Sequence, residues 1–371
     1  MEDISILFVI MFLIYLSDCL MLGRSDCYFF RKTFTGKWVQ ITPRSFPFLS
    51  LYAVLFKGIL PSVGSIVLAH RFPFNITSKG LGSTDAVYRR GNSAVVRFEA
   101  VERFSCEGRA LRAARQMLTQ AASEPHAQWL LSVIEAIRKS GEQLRESEIR
   151  RQVLQMFDME AVAHRRTECE QAVSMLRPAC SALLILVFVV SPCVVKLWGL
   201  FRTWPVLLAA VFGNSLLIAS LFWRAHRRIY PPLTASRITL AVILFLSPPA
   251  AIRAEDLIIR DAFCQWHPLA VAALLCDEAT VKRMAAAILR DTVFTKTTNP
   301  TFDFDSGDNW RATSLYHLEQ FIGRLGMSRK KLLRAPVRQN PKCSRYCPRC
   351  LAQYTGGCKL CSDCGVELSA F

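Results

Sequence analysis

Between Pro178 and Trp223 the chain runs ACSALLILVFVVSPCVV, passes through a short loop carrying Lys196 and Arg202, and continues PVLLAAVFGNSLLIASLFW. Neither arm carries a charge, and each holds about the 20 residues a helix needs to cross a hydrocarbon layer roughly 30 Å thick. The pattern predicts a transmembrane helical hairpin over 178–223. Trp198, Trp204 and Trp223 stand at its turn and exit, where indole rings favour the headgroup level, and Arg224, Arg227 and Arg228 follow at once. The polar segments on either side of the hairpin are therefore expected on one face of the bilayer.

Composition supports a soluble part hung on an anchor. Of 371 residues, 52% are hydrophobic, too many for an ordinary soluble chain, yet 20% are charged, too many for a pure membrane bundle. The net charge of +17 favours a surface bearing anionic lipid or nucleic acid.

Residues 1–22 contain a further apolar run, Ile4 to Leu22, with Glu2 and Asp3 before it and no small-residue cleavage site after it. It is expected to stay as an N-terminal membrane anchor. Arg24, Arg31, Lys32 and Lys37 follow it, which orients the N-terminus outward and the following chain toward the cytoplasm. Residues 23–71 form an interfacial or buried apolar segment, because Lys57 and Pro61 interrupt its longest run. Short alternating runs punctuated by Gly80, Gly82 and Gly91 predict a small β-rich segment over 72–108, with Val96 and Phe98 inward and Arg97 outward. The stretch 109–177 is rich in Ala, Leu, Glu, Gln and Arg and reads as a helical cytoplasmic segment, with Trp129, Leu130, Val133, Ile134 and Ile137 on one stripe. After the hairpin, 238–252 is a short apolar helix ending at Pro248 and Pro249; it is re-entrant or spanning, and its length favours the former. A second helical cytoplasmic segment is expected over 253–328.

Six of the 14 cysteines crowd into the last segment, a clustering that argues for a metal in a reducing compartment. Cys347 with Cys350, and Cys361 with Cys364, make two C-x2-C pairs. Each pair lets two thiolates from one tight turn approach the same cation, and two turns complete the tetrahedron that zinc accepts. Four thiolates leave no position for water, so the expected zinc is structural rather than catalytic, and 347–371 is expected to fold only around it. The preceding linker, 329–346, has no acidic residue. Arg329, Lys330, Lys331, Arg334 and Arg338 make it a candidate binder of an anionic surface.

The segment over 347–368 resembles the short zinc ribbons of pattern CPxC, an aromatic with nearby Gly, then CxDCGxxL, which are appended to many bacterial proteins. Cys347, Pro348, Cys350, Tyr354, Gly357, Cys361, Asp363, Cys364, Gly365 and Leu368 fall in step with it. Cys343 and Cys358 are extra to that pattern, although Cys358 and Cys361 would offer an alternative pair. The resemblance implies contact with protein or nucleic acid and implies no reaction. Together with the hairpin, the expected location is a bacterial inner (cytoplasmic) membrane, with most polar segments cytoplasmic.

No H-E-x-x-H, P-loop or G-x-S-x-G motif occurs, and Ser215 and His226 lie on one helix and its exit, so the hydroxyl and imidazole need not meet. The chain thus reads as an α-helical membrane protein with a mixed α/β cytoplasmic part, a small β-meander plus helices, and a C-terminal zinc ribbon. Its expected contacts are membrane lipid and a protein partner, with nucleic acid the weaker expectation. Two functional readings stay open: a membrane-anchored binding or scaffold protein, and a membrane-bound enzyme whose site no motif encodes.

Overall fold

The computed structural model describes residues 9–10, 13, 27–32, 36–41, 66–70, 72–83, 95–114, 116–121, 123–294 and 309–371. Most of the expected N-terminal span Ile4 to Leu22, and residues 42–65 within the expected apolar segment, lie outside them. The chain divides into two compact units, one drawn from Met1–Arg71 and Met159–Gln265, the other from Phe72–Asp158 and Trp266–Phe371.

In the first unit, strands β1 (Cys27–Lys32), β2 (Trp38–Ile41) and β3 (Ile66–His70) form an antiparallel sheet with β1 central. The apolar segment expected to be interfacial or buried thus contributes a strand, with Val67 and Ala69 buried. Six helices follow in later sequence: α1 (Met159–Val173), α2 (Leu176–Trp198), α3 (Leu200–Ile229), α4 (Thr234–Leu246), α5 (Pro248–Ile252) and α6 (Ala254–Ile259).

Helices α2 and α3 are the hairpin arms, long and apolar enough to cross a membrane. At 1.5 Å per residue they are about 35 and 45 Å long, longer than the charge-free arms because each continues into polar residues. The turn is one residue, Gly199, whose φ of +79° suits glycine. Pro192 sits inside α2, where its ring would collide with the carbonyl four residues back. The chain answers with a π-helical turn over Leu186–Val190, and the Ser191 hydroxyl donates to the Leu186 carbonyl at 2.7 Å. Only 33% of the apolar window of α2 and 22% of that of α3 is buried, so these helices are not hidden in a core. Phe201 is 93% exposed and Val206 71%.

Helix α4 packs along α3, with Phe245 edge-on to Phe212. The apolar helix expected in 238–252 ends at Leu246, before the two prolines expected to break it, and a short helix restarts at Pro248 because Pro248 and Pro249 cannot continue the backbone ladder. Its 13-residue first part is about 20 Å long, too short to cross. Buried Arg237 donates to the carbonyls of Tyr230 and Pro231, satisfying acceptors beyond the end of α3.

Around α6 lies a set of buried ion pairs. Arg177 grips Glu255 with Nη2 at 2.7 Å and Nε at 3.0 Å, Arg253 holds Asp256 at 3.0 Å, and Arg260 holds Asp261 at 3.0 Å. Burial pushes the Asp256 carboxyl up from its ordinary 3.8 to about 6; Arg253 pulls it back and Glu255 adds to the rise. The folded state therefore holds this proton more tightly than the unfolded chain. Its stabilising share is full below about pH 4 and is lost as pH rises through about 6. The thermal midpoint in detergent is expected to fall between those values by an amount that Asp256→Asn removes; identical pH slopes for the two proteins would refute the assignment.

The second unit begins with three strands, β4 (Phe74–Ile76), β5 (Gly80–Ser83) and β6 (Val95–Arg97), and continues with β7 (Phe104–Glu107), β8 (Ala110–Ala113) and β9 (Gln116–Gln120). Each trio is an antiparallel sheet in chain order. The expected inward Val96 and Phe98 are buried and Arg97 is exposed. A Cβ at Gly80 would strike the Val96 carbonyl oxygen, so β5 and β6 approach at a point where glycine alone fits. The β-rich part runs to Gln120, past the expected limit of 108. The Ala- and Arg-rich sequence there favours helix only by local propensity, and pairing across the β8–β9 hairpin overrides it, burying Leu111, Ala113 and Leu118.

The helices of this unit are α7 (Glu124–Lys139), α8 (Arg145–Gln155), α9 (Pro268–Leu275), α10 (Glu278–Phe294), α11 (Trp310–Arg324) and α12 (Arg329–Leu332). Ser123 caps α7 by accepting from the His126 amide, and Leu130, Val133, Ile134 and Ile137 are buried along it as the stripe predicts. A final small sheet joins β10 (Arg345–Tyr346), β11 (Gln353–Tyr354) and β12 (Ser369–Ala370), with β10 central.

Candidate metal centre

Two short turns build the site, and they repeat one another. In the first, the Cys347 amide donates to the Ala352 carbonyl and the Leu351 amide donates back to the Cys347 carbonyl, both at 2.8 Å. In the second, the Cys361 amide donates to the Val366 carbonyl at 2.8 Å and the Gly365 amide to the Cys361 carbonyl at 2.9 Å. The residue after each second cysteine has a left-handed backbone: Gly365 at φ +64°, where glycine costs nothing, and Leu351 at φ +66°, where a side chain is tolerated only because the turn demands it.

The four cysteines named from their spacing converge. The sulfurs of Cys347, Cys350, Cys361 and Cys364 all lie within 4.8 Å of one another. Sγ of Cys350 and Sγ of Cys361 are 3.7 Å apart. A disulfide would need about 2.05 Å, whereas thiolates at about 2.3 Å around one tetrahedral cation stand about 3.8 Å apart. The four sulfurs could therefore hold one metal ion between them. Cys343 is buried and Cys358 exposed, and neither joins the group; the Cys358 carbonyl instead accepts from Arg345. Among the described residues no other cluster of His, Cys, Asp and Glu offers three ligands, so Cys264, His267 and Cys276 stay outside metal chemistry.

Electrostatics distinguish the four thiols. Burial pushes Cys350 up to about 11 and raises Cys364 further. Burial acts on Cys361 too, but the Tyr354 hydroxyl and the amides of Cys364 and Asp363 outweigh it and bring that thiol down to about 7. Tyr354 donates to Cys361 Sγ at 3.1 Å while its oxygen accepts from the Ser362 amide at 3.2 Å. A hydrogen bond to a ligating sulfur fixes its orientation and spreads its charge. Tyr354→Phe is therefore expected to weaken metal affinity about tenfold, measured by competition with a chromophoric chelator; unchanged affinity would remove Tyr354 from the site.

The basic segment 329–346, expected as a linker that binds an anionic surface, is docked at its first part and mostly exposed beyond it. Leu332 is buried, its carbonyl accepts from Arg290 at 2.7 Å, and Arg329 pairs with Glu319 at 2.7 Å. Gln353 reaches back to the Val337 carbonyl, and Arg338 lies over the Phe371 ring at 4.9 Å. A buried apolar residue and satisfied carbonyls hold what composition alone reads as free. Lys330, Lys331 and Arg334 remain exposed with no ion pair among the described residues. The ribbon is itself tied to α10, where Arg349 pairs with Asp291 at 2.8 Å and Phe294 packs against the cysteine core.

Elsewhere, Ser215 and His226 share α3, eleven residues or about 16 Å apart along its axis, and cannot act on one bond. No family model, no curated protein and no solved structure matches this chain.

Proposed function

We propose that the protein is a membrane-anchored binding or scaffold protein that holds a structural zinc ribbon and an adjoining basic surface at the cytoplasmic face of the bilayer. One observation carries the reading. The ribbon is a closed four-sulfur site fused to a partly docked basic segment, so it has the parts for holding a shape and attracting a partner and lacks an open ligand position for chemistry. Zinc is the metal because four thiolates in a tetrahedron suit a borderline-soft cation without a redox role.

Membrane insertion is supported by the two hairpin helices, which are apolar, longer than a bilayer core and mostly exposed. In water, a face carrying Phe201, Val206, Leu208, Leu216 and Leu217 would be a large apolar patch of the kind soluble monomers avoid. Arg224, Arg227 and Arg228 at the far end of α3 favour the cytoplasmic side. Lys330, Lys331 and Arg334 supply an attraction for an acidic protein partner that salt screens.

The test is copurification from detergent-solubilised membranes. A protein should accompany the intact chain and be lost with Cys347→Ser, and charge reversal at Lys330 and Lys331 should weaken its retention as salt is raised. Partner retention indifferent to both changes would reject the reading. Extraction of the chain by alkaline carbonate would reject the anchor.

A further inference from the structure

At the hairpin turn, the end of α2 and the start of α3 border an open cavity of about 370 Å³ lined by Val194, Trp198, Arg202, Thr203, Val206 and Leu207. Its walls are mostly apolar, with Arg202 and Thr203 the polar part. The Thr203 hydroxyl is already spent on the Gly199 carbonyl at 2.8 Å, which leaves the Arg202 guanidinium as the polar group able to meet a ligand. Arg202 is exposed and has no ion pair among the described residues. Lys196 is exposed on the adjacent turn of α2, and no acidic residue occurs anywhere between Glu170 and Glu255. Trp198 is 62% exposed at the rim.

Resting on the membrane reading above, we infer that this cavity binds one anionic glycerophospholipid. Its phosphate lies on the planar fork of Arg202, whose paired N–H groups match two phosphate oxygens. One acyl chain runs along Val194, Val206 and Leu207. The Trp198 indole sits at the glycerol level between them, the depth that amphipathic rings prefer. Charge selects the headgroup: a cation with no neighbouring acid to neutralise it favours a net negative lipid over a zwitterionic one, whose own ammonium would be repelled by Lys196.

The experiment uses the full chain reconstituted in phosphatidylcholine vesicles containing a minor fraction of either brominated phosphatidylglycerol or brominated phosphatidylcholine. Bromine quenches nearby indoles, and subtracting the quenching seen in Trp198→Phe isolates the Trp198 signal. At equal mole fraction the anionic lipid is expected to occupy the site about fivefold more than the zwitterionic lipid, the advantage of one cation near an anionic headgroup. Arg202→Gln should abolish that preference, and Arg202→Lys, which keeps the charge and loses the fork, should restore part of it. Equal quenching by the two lipids, or a preference that survives Arg202→Gln, would overturn the site while leaving the anchor intact. Absence of quenching by either lipid, in protein that alkaline carbonate releases, would overturn the site and the membrane reading together.

Discussion

Stripping the metal from the intact protein is expected to unfold residues 343–371 and nothing larger. The apolar core of the ribbon consists of Cys347, Cys361, Val366 and Leu368, with Phe294 and Tyr354 packed beside it, and its strands are two residues long. Burying two aliphatic side chains supplies about 3 to 6 kcal/mol, whereas structural zinc in comparable peptides contributes about 10 to 16 kcal/mol, so the metal term outweighs the apolar one. Chelation, or Cys361→Ser, should therefore make every thiol from Cys343 to Cys364 reactive and open the backbone after Leu332 to protease. Cys169 and Cys264 should stay protected, since burial holds them in the first unit with thiols raised well above their ordinary value. The measurement is thiol labelling followed by peptide mass analysis. A metal-free protein whose ribbon remains protected would show that the four sulfurs are not what folds it.

Arg177→Met is expected to cost about 3 to 5 kcal/mol, several times more than Glu255→Gln, although the two residues are partners in one ion pair. The asymmetry follows from burial. Arg177 keeps 40% of its side chain exposed, whereas Glu255 keeps 1%. With the glutamate neutralised, the guanidinium still reaches water. With the arginine removed, the carboxylate stays in a low-dielectric site stripped of its bidentate cation. For a unit of this size the larger loss corresponds to a thermal midpoint lower by on the order of 10 °C. The double variant should be more stable than Arg177→Met alone, because removing the carboxylate relieves the stranded charge. Equal losses for the two single variants that add in the double variant would sink this account.

The hairpin and the cysteine site were legible for the same reason. Each is coded within a few residues, by an unbroken apolar run in one case and by C-x2-C spacing in the other, and no distant contact is needed to make either. The expected β-meander was right in kind and short in extent. Nothing local separates the strand pair over Ala110–Gln120 from a helix; one signal lies in Gly108, whose φ of +57° makes the β7–β8 turn, while Ala114 takes φ +52° without any residue type to announce it. Least legible was the pairing of Arg177 with Glu255, 78 residues apart, because sequence shows charges without showing which will share a buried site. The linker misled for a related reason. Seven basic residues dominate its composition, yet a single apolar one, Leu332, decides that its first part docks.

Each unit is assembled from two separated stretches of chain, 1–71 with 159–265 and 72–158 with 266–371. This interleaving fixes an order of events during synthesis. When the ribosome reaches Asp158 it has made one part of each unit and finished neither. The first unit can close only once Gln265 has emerged, by which time both hairpin helices are already available for insertion. The second must hold its β-sheets and first two helices half-assembled until α9 to α11 arrive. The four clustered cysteines follow both stretches of the first unit, so their site can assemble only after that unit has all its chain. A chain cut between Gln265 and Cys347 would carry the whole hairpin and both stretches of the first unit, but none of the four clustered cysteines.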